Sequence, residues 1–213
     1  MTNPLRRQTL GDLLHRSAAR HPDKPAVTCG ETHWTYAEFD HLCDRLAAGM
    51  AQRGIGKCDA VAVLARNSHG FAALRFALAR LGAVLVPINF MLKAEEVAYI
   101  LRHAGARTLA MDSGLSELGK AAAVLDTLIK QFIWLPSEEA SMPTSGTVSF
   151  DELASSTAAI PEIELNGSDL AQIVYTSGTE SLPKGAMLTH DAVMWQYVSC
   201  VVDANIAGED LAL

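Results

Sequence analysis

The sequence predicts an α/β fold with a mainly parallel sheet flanked by helices. Between residues 60 and 135, short apolar runs of strand length alternate with segments of helical periodicity, an order typical of βαβ units. The apolar runs are continuous and do not alternate with polar residues. Such runs are expected when helices cover both faces of a parallel sheet.

The elements before and after this region follow from local signals. A helical pattern ends before Pro22, because the residue before a proline is disfavoured in the α conformation. Two strand-like runs flank Gly30-Glu31, which predicts a hairpin, and Thr35 and Glu38 have the spacing of a capping box. The predicted strands are 25–29, 32–34, 60–64, 83–88, 108–111, 132–135, 170–175 and 186–188, and the predicted helices lie between Leu10 and His21, between Thr35 and Gly54, and at 71–81, 95–103, 115–129, 150–154 and 190–202.

Residues 136–167 differ in composition from the rest of the chain. They are rich in Ser, Thr, Pro and Glu, and only 150–154 has a helical pattern. We predict a surface connection here, followed by a buried strand, a polar loop at 176–185 and a second short strand. No internal repeat is present, which argues against a solenoid.

The composition excludes several classes of partner. The 213 residues are 49% apolar and 19% charged, as in an ordinary globular protein. A net charge of -7 with scattered lysines and arginines provides no basic patch for nucleic acid. Neither a signal peptide nor a transmembrane segment is expected. The four cysteines lack zinc-site spacing and are expected to be reduced thiols, which predicts a cytoplasmic protein.

The loop after the strand at 170–175 carries the clearest chemical signal. It reads TSGTESLPKG from Thr176 to Gly185, and its hydroxyls, its backbone amides and the Lys184 cation suit polyphosphate oxygens. Gly178 and Gly185 are expected to permit backbone conformations closed to larger residues. A solvated turn is the alternative, but the position directly after a buried strand favours a nucleotide phosphate loop. It is not a Walker loop, because Pro183 replaces the required glycine.

The histidines give no catalytic assignment. His190 follows Thr189 at the start of the last predicted helix. We interpret Thr189 as the helix cap and His190 as a first-turn residue, in preference to a general base. His69, His103 and the others have no Cys, Asp or Glu at metal-ligand spacing and are expected to be structural or exposed.

Residues 175–185 resemble the phosphate loop of the acyl-adenylate-forming superfamily, which includes acyl-CoA synthetases, luciferases and the adenylation domains of peptide synthetases. Three further stretches agree with this family in order and spacing: WTYAEF at 34–39, ARLGAVLVPIN at 79–89, and EEVAYIL at 95–101 with AGA at 104–106. The resemblance covers essentially the whole chain. It identifies the chain as the N-terminal portion of the family's large domain, of the AMP-forming acyl-CoA synthetase type.

This resemblance implies that the intact protein activates a carboxylic acid, first to acyl-AMP and then to acyl-CoA, with ATP, Mg²⁺ and coenzyme A. The overall residue pattern of positions 79–112 favours a fatty acid over an aromatic acid. Glu180 and Ser181 replace the commoner threonine and glycine, and Glu180 is not expected to be a phosphate donor because it would repel the triphosphate. The residues implied to bind the phosphates are Thr176, Ser177, Gly178, Thr179, Lys184 and Gly185, with the hydroxyl of Thr176 near the metal.

Residues 1–213 precede the family's later motifs for adenine, ribose and Mg²⁺ and its C-terminal domain with the catalytic lysine. We therefore expect the chain to be inactive alone, and to self-associate through an incomplete sheet. Two alternatives stay open. The intact protein could be another adenylating ligase, acting on an amino acid or loading an acyl-carrier protein, or the chain could be a non-catalytic nucleotide-binding or interaction module.

Overall fold

The computed structural model describes residues 8–138, 142–176 and 182–204. This part of the chain folds into seven α-helices, nine strands and a short 3-10 helix at Ser113–Leu115. In chain order the elements are α1 (Leu10–Arg20), β1 (Pro25–Cys29), β2 (Thr32–Thr35), α2 (Tyr36–Gln52), β3 (Ala60–Leu64), α3 (His69–Leu81), β4 (Val84–Pro87), α4 (Ala94–His103), β5 (Thr108–Met111), α5 (Ser116–Ala123), β6 (Gln131–Trp134), β7 (Val148–Ser149), α6 (Phe150–Ala154), β8 (Leu170–Thr176), β9 (Lys184–Thr189) and α7 (His190–Asp203).

Seven strands form one sheet in the spatial order β7-β6-β5-β3-β4-β8-β9. Every neighbouring pair from β7 to β8 is parallel, and β9 pairs antiparallel with β8. The predicted α/β fold with a mainly parallel sheet is therefore confirmed. β1 and β2 form a separate antiparallel hairpin, and Gly30 in its turn has a φ of 56°, which a glycine adopts at little cost.

Helices cover both faces of the sheet and build two large apolar cores, beside a smaller cluster that includes α7. Along β3, Val61 and Val63 belong to the core lined by α2 and α3, whereas Ala62 and Leu64 belong to the core lined by α4 and α5. All four side chains have 0% exposure. Burial on both faces explains why the strand sequence is continuously apolar.

Local capping signals position the helices that pack on this sheet. The Thr35 hydroxyl accepts a hydrogen bond from the Glu38 amide at 3.3 Å, and the Glu38 carboxylate accepts one from the Thr35 amide at 2.8 Å. The bond from the Thr35 backbone lowers the pKa of Glu38. The predicted capping box at the start of α2 is thus confirmed, and Thr9 with Asp12 forms a second box at the start of α1.

Two predicted boundaries are wrong. The helix predicted over 115–129 is shorter, because α5 ends at Ala123. The apolar side chains beyond it, Val124 and Leu128, are 79% and 54% exposed, so no packing surface extends the helix. The loop predicted over 176–185 is also shorter, since Thr176 belongs to β8 and the chain re-enters the sheet at Lys184.

The surface connection predicted near 136–167 is wrong in part, although its predicted helix at 150–154 is confirmed as α6. It contains β7, which adds an edge strand parallel to β6, and α6, whose Phe150 and Leu153 are 4% and 2% exposed. The backbone of α6 approaches α2 at Gly49, where a Cβ would lie 2.3 Å from the carbonyl oxygen of Leu153. The contacts between α6 and α2 join residues about a hundred positions apart, which a local composition cannot predict.

Of the helices that the structure describes, none is both long enough and apolar enough to cross a membrane.

A candidate phosphate-binding hairpin

The predicted phosphate loop connects the antiparallel strands β8 and β9. Strand β8 runs parallel to β4, so the loop leaves the sheet at the edge formed by the carboxyl ends of the parallel strands. Open α/β sheets bind their ligands outside this edge. Of the residues predicted to contact phosphate, Ser177, Gly178 and Thr179 lie outside the described residues, as do Glu180 and Ser181.

Thr176 and Lys184 form the last pair between the two strands. They are cross-strand partners, and both are exposed. Directly opposite residues in an antiparallel pair project from the same face, with Cβ atoms about 4.5–5.5 Å apart. A hydroxyl group and an ammonium group are therefore presented together at the base of the loop, an arrangement that suits an anionic oxygen ligand.

Gly185 is required for a different reason from the one that its sequence context suggested. It is not among the glycines with positive φ, so the expectation of a special backbone conformation is wrong at this position. A Cβ here would lie 2.8 Å from Cγ2 of Ile173 and 3.1 Å from Cζ of Tyr175. Glycine is needed because two side chains of β8 lie across it. Gly178 falls outside the described residues.

Tyr175 connects the hairpin to α4. Its hydroxyl lies 2.7 Å from Nδ1 of His103, and the His103 ring stacks on Tyr99 with the centroids 5.6 Å apart. Burial raises the pKa of Tyr175, and the neighbouring Tyr99 raises it further. Sequence reasoning missed this contact because His103 and Tyr175 are 72 positions apart. The i, i+4 spacing of Tyr99 and His103 on one helix could have indicated only the contact between these two side chains.

The start of β8 is anchored by an ion pair. Asp169, directly before the strand, accepts hydrogen bonds from Nζ of Lys57 and from the Asn166 amide, both at 2.8 Å. Burial would raise the pKa of Asp169, but the bonds from Lys57 and Asn166 outweigh it and lower the pKa. This pair ties the hairpin to the segment that precedes β3.

His190 is confirmed as a first-turn residue of α7. The Thr189 hydroxyl accepts from the Ala192 amide at 3.2 Å and caps the helix, as predicted. The His190 side chain has 0% exposure, and its Nδ1 accepts from the Leu10 amide at 3.3 Å. Burial lowers the pKa of His190, although Asp169 acts in the opposite direction. A neutral, fully buried imidazole is not placed to act as a general base on a ligand.

The described residues contain no group of three or more His, Cys, Asp or Glu side chains able to hold a metal ion. Thr176 offers one hydroxyl oxygen at the end of β8. This fits Mg²⁺ as a single ligand in a shell completed by phosphate oxygens and water, which is how Mg²⁺ commonly binds with nucleotides.

The chain is similar in sequence to known AMP-binding enzymes. The sequence model of a family described as AMP-binding enzyme matches residues 14–212. A feruloyl-CoA synthase from an Amycolatopsis species is 32% identical, with 98% of this chain and 39% of that protein covered. The long-chain-fatty-acid–CoA ligase FadD13 of Mycobacterium tuberculosis is 34% identical, with 87% and 36% covered.

A solved structure extends the likeness to three dimensions. The long-chain-fatty-acid-CoA ligase FadD1 of Archaeoglobus fulgidus superposes with a TM-score of 0.82 at 27% identity, over 96% of this chain and 41% of that one. This chain thus spans about two fifths of the length of the relatives that it matches.

Proposed function

This chain belongs to the AMP-binding enzyme family, and from that premise we propose that the intact protein uses ATP to activate a carboxylic acid and then transfers the acyl group to coenzyme A. The observation that carries the proposal is the β8–β9 hairpin. Its last pair, Thr176 and Lys184, holds the two ends of the TSGTESLPK segment together at the ligand-binding edge of the sheet.

The hairpin suits the first half-reaction. A carboxylate is a poor electrophile, so its oxygen first attacks the α-phosphorus of ATP, and pyrophosphate leaves with the electrons of the broken bond. The phosphates would be neutralised by Lys184. They would be oriented by the hydroxyls of Thr176, Ser177 and Thr179 and by the amides around Gly178 and Gly185. In the second half-reaction, the thiolate of coenzyme A attacks the acyl carbon and AMP leaves.

Mg²⁺ is part of the proposal. When bound, it would neutralise phosphate charge and orient the leaving pyrophosphate. In this chain the hydroxyl of Thr176 is the proposed ligand. Later parts of the intact protein would supply the remaining contacts to adenine, ribose and metal.

A fatty acid is the proposed substrate, with an aromatic acid as the next choice. FadD13, named for long-chain fatty acids, and the feruloyl-CoA synthase are similarly close in sequence, at 34% and 32% identity. An adenylating ligase for an amino acid or an acyl-carrier protein would use the same loop. Acid-dependent ATP–pyrophosphate exchange by the intact protein, measured across long-chain, aromatic and amino acids, identifies the acid. Acyl-CoA formation then identifies the acceptor.

Lys184→Ala tests the loop assignment in the intact protein. Loss of one charge-assisted contact should weaken ATP binding or turnover by about 1.5–3 kcal/mol without unfolding the protein. Lys130→Ala is the matched control, because Lys130 is also an exposed lysine but precedes β6 instead of the loop. Equal ATP kinetics in the two variants, with both well folded, would contradict the assignment.

The 213-residue chain should not catalyse adenylation by itself. It holds the proposed phosphate contacts but not the remaining contacts that align the α-phosphorus with the carboxylate. Substantial ATP–pyrophosphate exchange by the purified chain, beside the intact protein as positive control, would refute this. Exposed apolar side chains support the expectation of self-association: Met187 on β9 is 69% exposed and Trp195 on α7 is 70% exposed. Sedimentation of the same sample tests this expectation.

We also propose a cytoplasmic location for the protein. The support is that Cys29, Cys43, Cys58 and Cys200 are all free, as is usual in reducing compartments. Fractionation of cells followed by immunodetection of the intact protein tests this location.

A further inference from the structure

The hydrogen bond between His103 and Tyr175 lies beside the phosphate-binding hairpin, but no step of the proposed reaction uses it. The Tyr175 hydroxyl and Nδ1 of His103 are 2.7 Å apart, at the short end of the range for hydrogen bonds between nitrogen and oxygen. Tyr175 directly precedes Thr176, the last residue of β8. A side chain on α4 therefore holds the residue next to the point where the loop leaves the sheet.

The His103 ring is itself oriented by two aromatic contacts. It stacks on Tyr99 with an interplanar angle of 27°, and it meets Tyr175 nearly edge-on, at 82° with centroids 5.7 Å apart. Tyr99 lies four residues earlier on the same helix, where i, i+4 side chains are neighbours. In this arrangement the His103 ring, although exposed, contacts both tyrosines and directs its Nδ1 to the Tyr175 hydroxyl.

Tyr175 in turn contacts both strands of the hairpin. Its cross-strand partner is Gly185, and a Cβ on Gly185 would lie 3.1 Å from the tyrosine Cζ. The ring thus lies across β9, one pair before Thr176 and Lys184. Because the pleat alternates faces, the ring packs on one face while the proposed phosphate-binding pair projects from the other.

We propose that His103 is a positioning residue for the phosphate loop, which through Tyr175 holds the last two pairs of the hairpin in the geometry that binds the triphosphate of ATP. This inference rests on the proposed function. The hydroxyl of Tyr175 keeps its proton at neutral pH, since the ordinary pKa of a tyrosine is about 10 and burial raises the pKa of Tyr175 further.

The test uses His103→Phe and Tyr175→Phe in the intact protein. The first keeps an aromatic ring to stack on Tyr99, and the second keeps the ring over Gly185, so each removes one side of the hydrogen bond with little change of volume. Each should raise the KM and the dissociation constant for ATP about three- to tenfold, as expected for one hydrogen bond of ordinary net strength. The KM for the acid should not change.

The double variant and a rescue variant make the test specific. His103→Phe combined with Tyr175→Phe should be no worse than either single variant, because all three lack the same bond. His103→Gln, whose amide can bond a hydroxyl, should recover part of the ATP affinity. His33→Phe, at an exposed histidine of β2, is the matched control and should behave as the unmodified protein.

Three outcomes would overturn the inference: unchanged ATP affinity in both single variants, independent effects that multiply in the double variant, or equal rises in the KM for ATP and for the acid. Thermal unfolding of each variant identifies a general loss of structure, which would also count against a positioning role. Lys184→Ala measured in parallel separates the two proposals. If Lys184→Ala weakens ATP binding and the His103 variants do not, only the role of His103 fails.

Discussion

Strand β3 lies inside the sheet with helices on both faces, whereas the β8–β9 hairpin and α7 lie at one side with much of their apolar surface exposed. Val61, Val63 and Leu64 have 0% exposure, but Met187 and Trp195 are 69% and 70% exposed. Among the residues that the structure describes, the apolar cluster that includes α7 has four buried members, namely Leu10, Ala79, Ala171 and Val193.

Polar contacts support the hairpin region where apolar packing is sparse. Lys57 pairs with Asp169 before β8, Arg75 donates to the Tyr197 hydroxyl at 3.0 Å, and His190 accepts from the Leu10 amide. Elements with little buried apolar surface open at lower free energy than the core. The comparison indicates a well-packed parallel body that carries a more easily perturbed hairpin, where the phosphate site is proposed, a division common among binding sites.

Truncating a leucine in the body should have the largest effect on stability. Leu101 of α4 has 0% exposure, whereas Leu128 is 54% exposed. Leu101→Ala should lower the free energy of unfolding by about 2–5 kcal/mol, and Leu128→Ala by no more than about 0.5 kcal/mol. Urea denaturation measures both. Similar losses in the two variants would contradict the assignment of the parallel body as the stable part.

Gly185→Ala should perturb the hairpin and leave the body intact. The added Cβ would collide with Ile173 and Tyr175, and overpacking of this kind costs about 1–3 kcal/mol. Amide hydrogen exchange should accelerate in β8 and β9 but not in β3. Gly56→Ala is the control, because its nearest heavy atom would be 4.0 Å away, on Asp59. Faster exchange throughout the sheet would argue against a separable hairpin.

The smallest expected effect is a loss of stability on acidification through His190. Burial lowers the pKa of His190 in the folded state, so the unfolded chain binds the proton more readily. The contribution of neutral His190 to the free energy of unfolding is fully present above the ordinary histidine pKa of about 6.5. This contribution is lost as the pH falls from there through the pKa that His190 has in the folded state. The slope for one such proton is at most about 1.4 kcal/mol per pH unit.

Denaturant midpoints between pH 7.5 and pH 5.5, about one unit either side of that pKa, test this expectation. His190→Gln should reduce the slope, and His33→Gln, at an exposed position, should not. Some slope should remain in His190→Gln, because burial also lowers the pKa of His69. If the slope in His190→Gln is unchanged, the buried imidazole of His190 does not make the stability of the protein depend on pH.

Local sequence determined most of the secondary structure and the position of the proposed phosphate loop. The continuous apolar run of β3 requires burial on both faces, and Thr35 with Glu38 caps α2 through contacts only three residues apart. The TSGTESLPKG segment could be proposed as a phosphate loop because its hydroxyls, glycines and lysine are close together along the chain. The family resemblance rests on segments of the same local kind.

The tertiary structure decided what depends on residues far apart in the chain. It set the strand order, turned β9 antiparallel to β8, and buried Phe150 in a segment whose composition indicates a surface loop. It also gave Gly185 a steric role and brought His103 to Tyr175 across 72 positions. The sequence specifies both His103 and Tyr175, but their side chains meet only when β8 pairs with β4, and no local pattern encodes that pairing.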